Sequence, residues 1–272
     1  MVSGKTGVSI SYTPKITDEN VNISKQSPIR EFLKLLVGIV VSITVLYFVL
    51  GGIVNLAVPF VSVAAEKKIG SLVSGGMRTK LTFDKSVKVQ SILDTLLPHL
   101  ENNPFDITIS VAKSSTVNAV ALPGGHIVIF QGLLDEISSD RELAFVIGHE
   151  LGHFVNRDHL TGLGRGLSLV FIAMLLGNDN GLSSALLSPL DFSERRFSQK
   201  QEKKADAVGL DLLYKAYGTT GGSVSFFRKL QKENKISDFA YFFATHPSPE
   251  ERITALERLI EKKYGEKVVG AE

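Results

Sequence analysis

No charged residue occurs from Leu35 to Val58, and the run LLVGIVVSITVLYFVLGGIVNLAV is long enough to cross a hydrocarbon core, which takes about 20 helical residues. The pattern predicts one transmembrane helix within a segment 32–63. It follows a polar leader, 1–31, in which Pro14, Pro28 and scattered lysines sustain no period. A cleaved signal peptide is the competing reading, with Ser62 and Ala64 at processing spacing, but the apolar run far exceeds the ~7–15 residues of a signal core. The remainder, 64–272, reads as one domain.

Apolar residues at Ile92, Leu93, Leu96, Leu97 and Leu100 predict a helix from Val87 to Leu100, ended by Asn102 and Pro104. The period then changes to two. Phe105–Ala112 alternates, and Val117–Leu122 and His126–Phe130 flank Pro123-Gly124-Gly125, as two strands flank a turn. Asp140 is placed to cap a helix running through Leu143, Val146 and Ile147 to about Val155. Leu167–Leu176 is only ten residues long, which favours a buried or membrane-surface helix over a second crossing. A loop over Asn178–Leu190, a long helix from Ser193 to Tyr217 and a last helix from Pro249, capped by Ser248 with Glu251, complete an α+β chain that is mostly helical.

Composition narrows the chemistry. A formal charge of +2 with interleaved signs supplies no field for a polyanion, so nucleic acid is not an expected partner. Cysteine is absent, which excludes disulfides, thiolate metal sites and a cysteine nucleophile, and leaves nitrogen and oxygen as the only metal ligands. Basic residues flank the apolar helix almost evenly, Lys25, Arg30 and Lys34 before it and Lys67, Lys68 and Arg78 after it. A signal anchor with the carboxy-terminal domain outside the cytoplasm is the expected orientation.

The chemistry centres on His149-Glu150-Leu151-Gly152-His153. Helical positions i and i+4 differ by about 40°, so both imidazoles leave one face and can share an ion, while Glu150 beside them can take a proton from a water held there. Catalytic zinc sites have three protein ligands and one open position. The candidate third ligand is Glu202, with Asp206 four residues on to accept the free ring N–H of a ligand histidine. Only these two residues of the charged stretch Lys200–Lys204 and its continuation need to face inward.

These residues resemble the zinc metallopeptidases of the HtpX-like and CAAX-prenyl-endopeptidase-like family, a gluzincin group. The resemblance covers roughly Asn118 to Arg252: Asn118-Ala119-Val120-Ala121-Leu122-Pro123-Gly124-Gly125, Gln131-Gly132-Leu133-Leu134, His149 to His153 with Asn156-Arg157-Asp158-His159, Phe197-Ser198 with Glu202 to Asp206, and Thr245-His246-Pro247 with Arg252. Gln199 stands where many members carry an arginine, and Arg195 and Arg196 are the nearby substitutes. The resemblance implies a zincin-like domain with a small sheet, one Zn2+ per chain, polypeptide substrates held along the edge strand Asn118–Ala121, and His246 as the donor to the reaction's oxyanion or as an occupant of the open metal position. With the anchor, it implies quality control of membrane or envelope proteins.

Two other functions compete: a zinc-stabilised holdase that binds unfolded chains without cutting them, and a zinc hydrolase of small amides or esters. Gly162-Leu163-Gly164-Arg165-Gly166 lacks the lysine and preceding strand of a phosphate loop and reads as a flexible joint. His99 and His126 read as structural, and His159 as a buttress to the site.

Overall fold

The computed structural model describes residues 11–13, 27–78, 81–101, 103–175, 197–232, 242, 245–246 and 249–266. Most of the leader, the loop Asn178–Leu190, the helix start at Ser193, Arg195 and Arg196, Asn102, and the cap Ser248 lie outside the described residues. The chain divides into two units, Met1–Val45 and Leu46–Glu272. Helix α1, Pro28–Ala57, runs through the division and none of its residues is buried. It starts inside the segment expected as leader, because Pro28 fits the first turn of a helix, where no N–H is needed. With the tight turn Val58–Phe60 it is long and apolar enough to cross a membrane.

Within the second unit the order is α2 (Val63–Arg78), β1 (Phe83–Asp84), α3 (Val87–Leu96), β2 (Thr108–Ala112), β3 (Ala119–Leu122), β4 (His126–Phe130), α4 (Gln131–Glu136), α5 (Asp140–Val155), α6 (Asp158–Leu175), α7 (Gln199–Tyr217), α8 (Ser225–Lys232) and α9 (Pro249–Tyr264). The result is the expected mostly helical α+β architecture with one small sheet. Strand order is β1-β2-β4-β3, with β2 and β4 parallel and the outer pairs antiparallel, so β3 forms an edge.

Both faces of the sheet are covered, which is why His126–Phe130 reads as a nearly continuous apolar run. Ile109, Val111, Ile127 and Ile129 pack with α3, α5 and α7, whereas Val120, Leu122, Val128 and Phe130 pack with Val73 and Met77 of α2 and Leu163 of α6. The Pro123-Gly124-Gly125 turn needs its glycines: both have positive φ, +83° and +91°.

Several expectations are corrected. The helix cap before α5 is Ser139, whose hydroxyl accepts from the Glu142 amide, and Asp140 is the first helical residue, paired with Lys88 at 2.7 Å. The α-helix at Val87 stops at Leu96 and continues as a tight turn through His99, since Pro98 cannot extend it. Strands β2 and β3 are shorter than their alternating runs. Gly162–Gly166 is not a joint but lies inside α6, held helical by packing: a Cβ on Gly164 would stand 2.5 Å from Val54 Cγ1 of α1. Helices α2, α4 and α8 were not anticipated.

Between α5 and α6 the chain turns through Arg157, whose φ of +56° is unusual for a side chain of its size. Its guanidinium donates to the carbonyls of Val58 and Val61 at 2.9 and 2.8 Å and lies 3.2 Å from the fully buried carboxylate of Glu66. His159 meets the same carboxylate at 2.8 Å and stacks on Phe154, supporting the end of α5 from outside the site.

Candidate metal centre

α5 and α7 cross at a seam of small residues. A Cβ on Gly152 would lie 2.7 Å from Ala205 Cα, and one on Gly148 would lie 3.0 Å from Gly209 Cα. Only such close backbones let a side chain as short as glutamate reach across from α7. Glu202, in the first turn of α7, brings its carboxylate to 3.4 Å from His153 Nε2 and 3.7 Å from His149 Nε2. His246 Nδ1 completes the cluster, 3.1 Å from Glu202 Oε1 and 3.3 Å from His149 Nε2. One donor atom from each of these four buried residues lies within 4.8 Å of all the others. The expected trio is thus brought together, with His246 as a fourth member.

Each paired imidazole is oriented through its other nitrogen. His149 Nδ1 is 2.9 Å from Asp206 Oδ1, and His153 Nδ1 is 2.9 Å from Asp158 Oδ2. Carboxylate partners hold each ring through Nδ1 and aim its Nε2 at the cluster. Asp158 was missed as a partner; the signal was a carboxylate just past the end of α5. Gln201 connects the two halves: its amide oxygen caps the Ser198 N–H at the start of α7, and its Nε2 donates to Asp158 Oδ1 at 2.7 Å.

Arg252 is the other residue whose role escaped the sequence. Buried on α9, it donates to both oxygens of Asp206, at 2.9 and 2.5 Å, and places Nη1 2.8 Å from Glu202 Oε2. Burial opposes ionisation of Glu202, yet His246 and Arg252 hold its carboxyl well below the usual range, and Arg252 does the same for Asp206. Burial followed by Arg252 lowers His149 to about 4, which keeps that imidazole neutral and its lone pair available at neutral pH. His153 is driven the other way: burial opposes its charge, but Asp158 and Glu202 outweigh that and raise it to about 9.

The donor set fits a divalent cation. His153 Nε2 and Glu150 Oε1 are buried without a hydrogen bond, the carboxylates of Glu202 and Asp206 both pair with Arg252, and no thiolate is available. Glu150 stands next to the cluster, its Oε1 3.7 Å from His246 Nε2. Outside it, His126 bonds to Thr108 and Ser110 within the sheet, and His99 belongs to the turn after α3; neither joins the site.

The chain is similar in sequence to known proteins. The chain is 35% identical over 175 residues to mitochondrial metalloendopeptidase OMA1 of Arabidopsis thaliana, covering 62% of this chain and 34% of that one. It is 30% identical over 167 residues to the Homo sapiens mitochondrial metalloendopeptidase OMA1, covering 56% and 32%. It is 32% identical over 173 residues to metalloprotease LoiP of Escherichia coli (strain K12), covering 61% and 66%. The chain therefore spans about a third of the length of the mitochondrial relatives and 66% of the bacterial one. The family model described as Peptidase family M48 matches residues 85–260, from the start of α3 to near the end of α9 and so across every residue of the cluster. That match spans more than half of the sequence, and the chain belongs to peptidase family M48.

Proposed function

We propose that this protein is a membrane-anchored zinc endopeptidase that hydrolyses extended or misfolded polypeptides, with His149, His153 and Glu202 as the zinc ligands and Glu150 as the general base. One observation carries the reading: two imidazoles, each oriented by a carboxylate on its far nitrogen, converge with Glu202 in a buried cluster beside an unbonded Glu150 oxygen. Zinc suits imidazole and carboxylate donors, and when bound supplies Lewis-acid activation of water and of the scissile carbonyl. Glu150 then takes the proton of the attacking water and delivers it to the leaving amine. Asp206 and Asp158 keep the imidazoles aimed, and Arg252 keeps Asp206 and Glu202 ionised. His246, with Nδ1 against Glu202 and Nε2 on the Glu150 side, serves as the donor to the developing oxyanion.

The substrate lies along β3. Phe130 donates to the Asn118 carbonyl at 3.0 Å, so by antiparallel alternation Asn118 and Val120 turn their backbone groups to β4, and Ala119 and Ala121 turn theirs to the open edge. Val120, Ala121 and Leu122 line a narrow slot together with Phe197, Thr245 and His246, which connects that edge to the cluster. Strand addition of this kind binds main chain and is tolerant of sequence, as quality control of membrane or envelope proteins requires. Helix α1 is the anchor, oriented as a signal anchor with the catalytic unit outside the cytoplasm.

The test compares full-length wild type with Glu150→Gln on an unfolded protein such as casein, with zinc measured in both. The expected outcome is a loss of roughly 10²–10⁴-fold in turnover with zinc content unchanged. Equal turnover in both, or binding of casein without cleavage by wild type, would reject the peptidase mechanism in favour of a zinc-stabilised binding module.

A further inference from the structure

Two contacts join the start of α6 to the end of the apolar segment of α1. Arg157, just before α6, bonds to the carbonyls of Val58 and Val61, past the end of α1. Seven residues further on, Gly164 lies against Val54 so closely that no side chain fits between them. α6 therefore meets α1 at a crossing around Gly164 and Val54, beside the apolar segment that precedes Val58. Arg165 is the last charged residue before Leu175.

Beyond it, Leu169, Phe171 and Leu175 are 55%, 48% and 61% exposed, while Leu163, Ser168 and Ile172 are buried. On the neighbouring part of α1, Phe48, Val49, Ile53 and Leu56 are likewise exposed. Ser168, the one polar side chain from Leu167 to Leu175, satisfies its hydroxyl on the Gly164 carbonyl at 2.9 Å, which removes the cost of placing it in hydrocarbon. Ten residues from Gly166 to Leu175 extend about 15 Å, half the thickness of a bilayer core.

We propose that α6 beyond Arg165 is a second lipid-embedded element. It enters the leaflet on the catalytic side next to α1 and does not cross, and acyl chains cover Leu169, Phe171 and Leu175. α6 touches α1 at Val54, inside the apolar segment, and Leu169, Phe171 and Leu175 are exposed within about three turns of that contact, where a water-facing helix gains nothing from large apolar side chains. The site is thereby held against the bilayer surface by two inserted helices, and its substrates are polypeptide segments emerging from the same leaflet.

This inference rests on reading α1 as a membrane span, and the experiment separates the two. The chain has no cysteine, so single substitutions Leu169→Cys, Phe171→Cys and Leu175→Cys in the full-length protein can be labelled uniquely with an environment-sensitive nitrobenzoxadiazole probe. The labelled proteins are reconstituted into phosphatidylcholine and phosphatidylglycerol vesicles. Ile53→Cys on α1 is the lipid reference, and Val87→Cys, on the exposed first turn of α3, is the aqueous one.

The expected result is blue-shifted emission and quenching by spin-labelled lipid at all three α6 positions, comparable to Ile53 and absent at Val87. If Ile53 reads lipid and the α6 positions read water, the inference fails and the anchor stands. If Ile53 also reads water, the anchor itself fails. Shielding of α6 from aqueous quenchers without lipid quenching would overturn the inference in favour of a protein, or a second copy, covering that face.

Discussion

Gly152→Ala isolates the dependence of the metal centre on the α5–α7 seam. The added Cβ would lie 2.7 Å from Ala205 Cα and 2.8 Å from Ala205 O, both backbone atoms that cannot rotate aside. Carbon contacts settle at ~3.5–4.0 Å, so the helices must part by about 1 Å. Alanine at a helical glycine otherwise stabilises by about 0.5–1 kcal/mol, and overpacking costs about 1–3 kcal/mol, which leaves a net loss of about 1 kcal/mol.

In a unit of this size that lowers Tm by roughly 2–4 °C. The effect on metal is larger in proportion, because His153 is the next residue on one helix and Glu202 lies one turn before Ala205 on the other. Ligand distances tolerate only about 0.2 Å, so zinc affinity falls by at least the ~10–100-fold typical of a lost orienting group. Chelator competition reads the affinity and circular dichroism reads Tm. Gly75→Ala, on an exposed face of α2 with nothing within 4 Å of the new Cβ, is the control and raises Tm slightly. Wild-type affinity and an unchanged or higher Tm in Gly152→Ala would show that the close approach does not position Glu202.

Arg252→Met leaves Asp206 and Glu202 buried beside a neutral side chain and destabilises the protein by about 3–5 kcal/mol, measured by urea unfolding; a loss under about 1 kcal/mol would mean that other groups neutralise them. Asp158→Asn keeps the shape but weakens the hold on His153, and lowers zinc affinity by ~10–100-fold with little change in fold, read by chelator competition. Asp211, bonded to Lys263, Lys215 and Tyr264, has its carboxyl lowered to about 2 despite slight burial, below its ordinary 3.8. Its stabilisation is therefore present above pH 3.8 and lost as pH falls through about 2, so the small stability difference between wild type and Asp211→Asn closes over that interval. A difference that grows with acidity would contradict the ion-pair explanation.

Residues whose roles depend on near neighbours were readable from the sequence. His149 and His153 declare their shared face, with Glu150 beside it, through spacing alone, and Glu202 with Asp206 repeats that logic on a second helix. Strands β3 and β4 declare themselves through the Pro-Gly-Gly turn. What stayed hidden depends on partners far along the chain. Arg252 is an ordinary polar residue of an amphipathic helix until α9 packs it onto Asp206, 46 positions earlier. Asp158 looks like a loop acid until α5 ends just short of it. The glycines at 162, 164 and 166 suggested flexibility because their local preference opposes a helix, and packing against Val54 overrode it. Ser139 and Asp140 are both competent caps, and only the Ser139 hydrogen bond to Glu142 distinguishes them.

Arg157 has a mechanical consequence. Its guanidinium grips the last carbonyls of the apolar stretch only four positions after His153, so the imidazoles keep a set height relative to the end of that stretch. For the proposed peptidase this makes a gauge: a bond would be cut only if its chain can be drawn to that height. Each ångström of shortfall must come from slack polypeptide, at most about 3.4 Å per extended residue. On that proposal, loosely tethered or unravelled segments would reach the site and tightly folded ones would not.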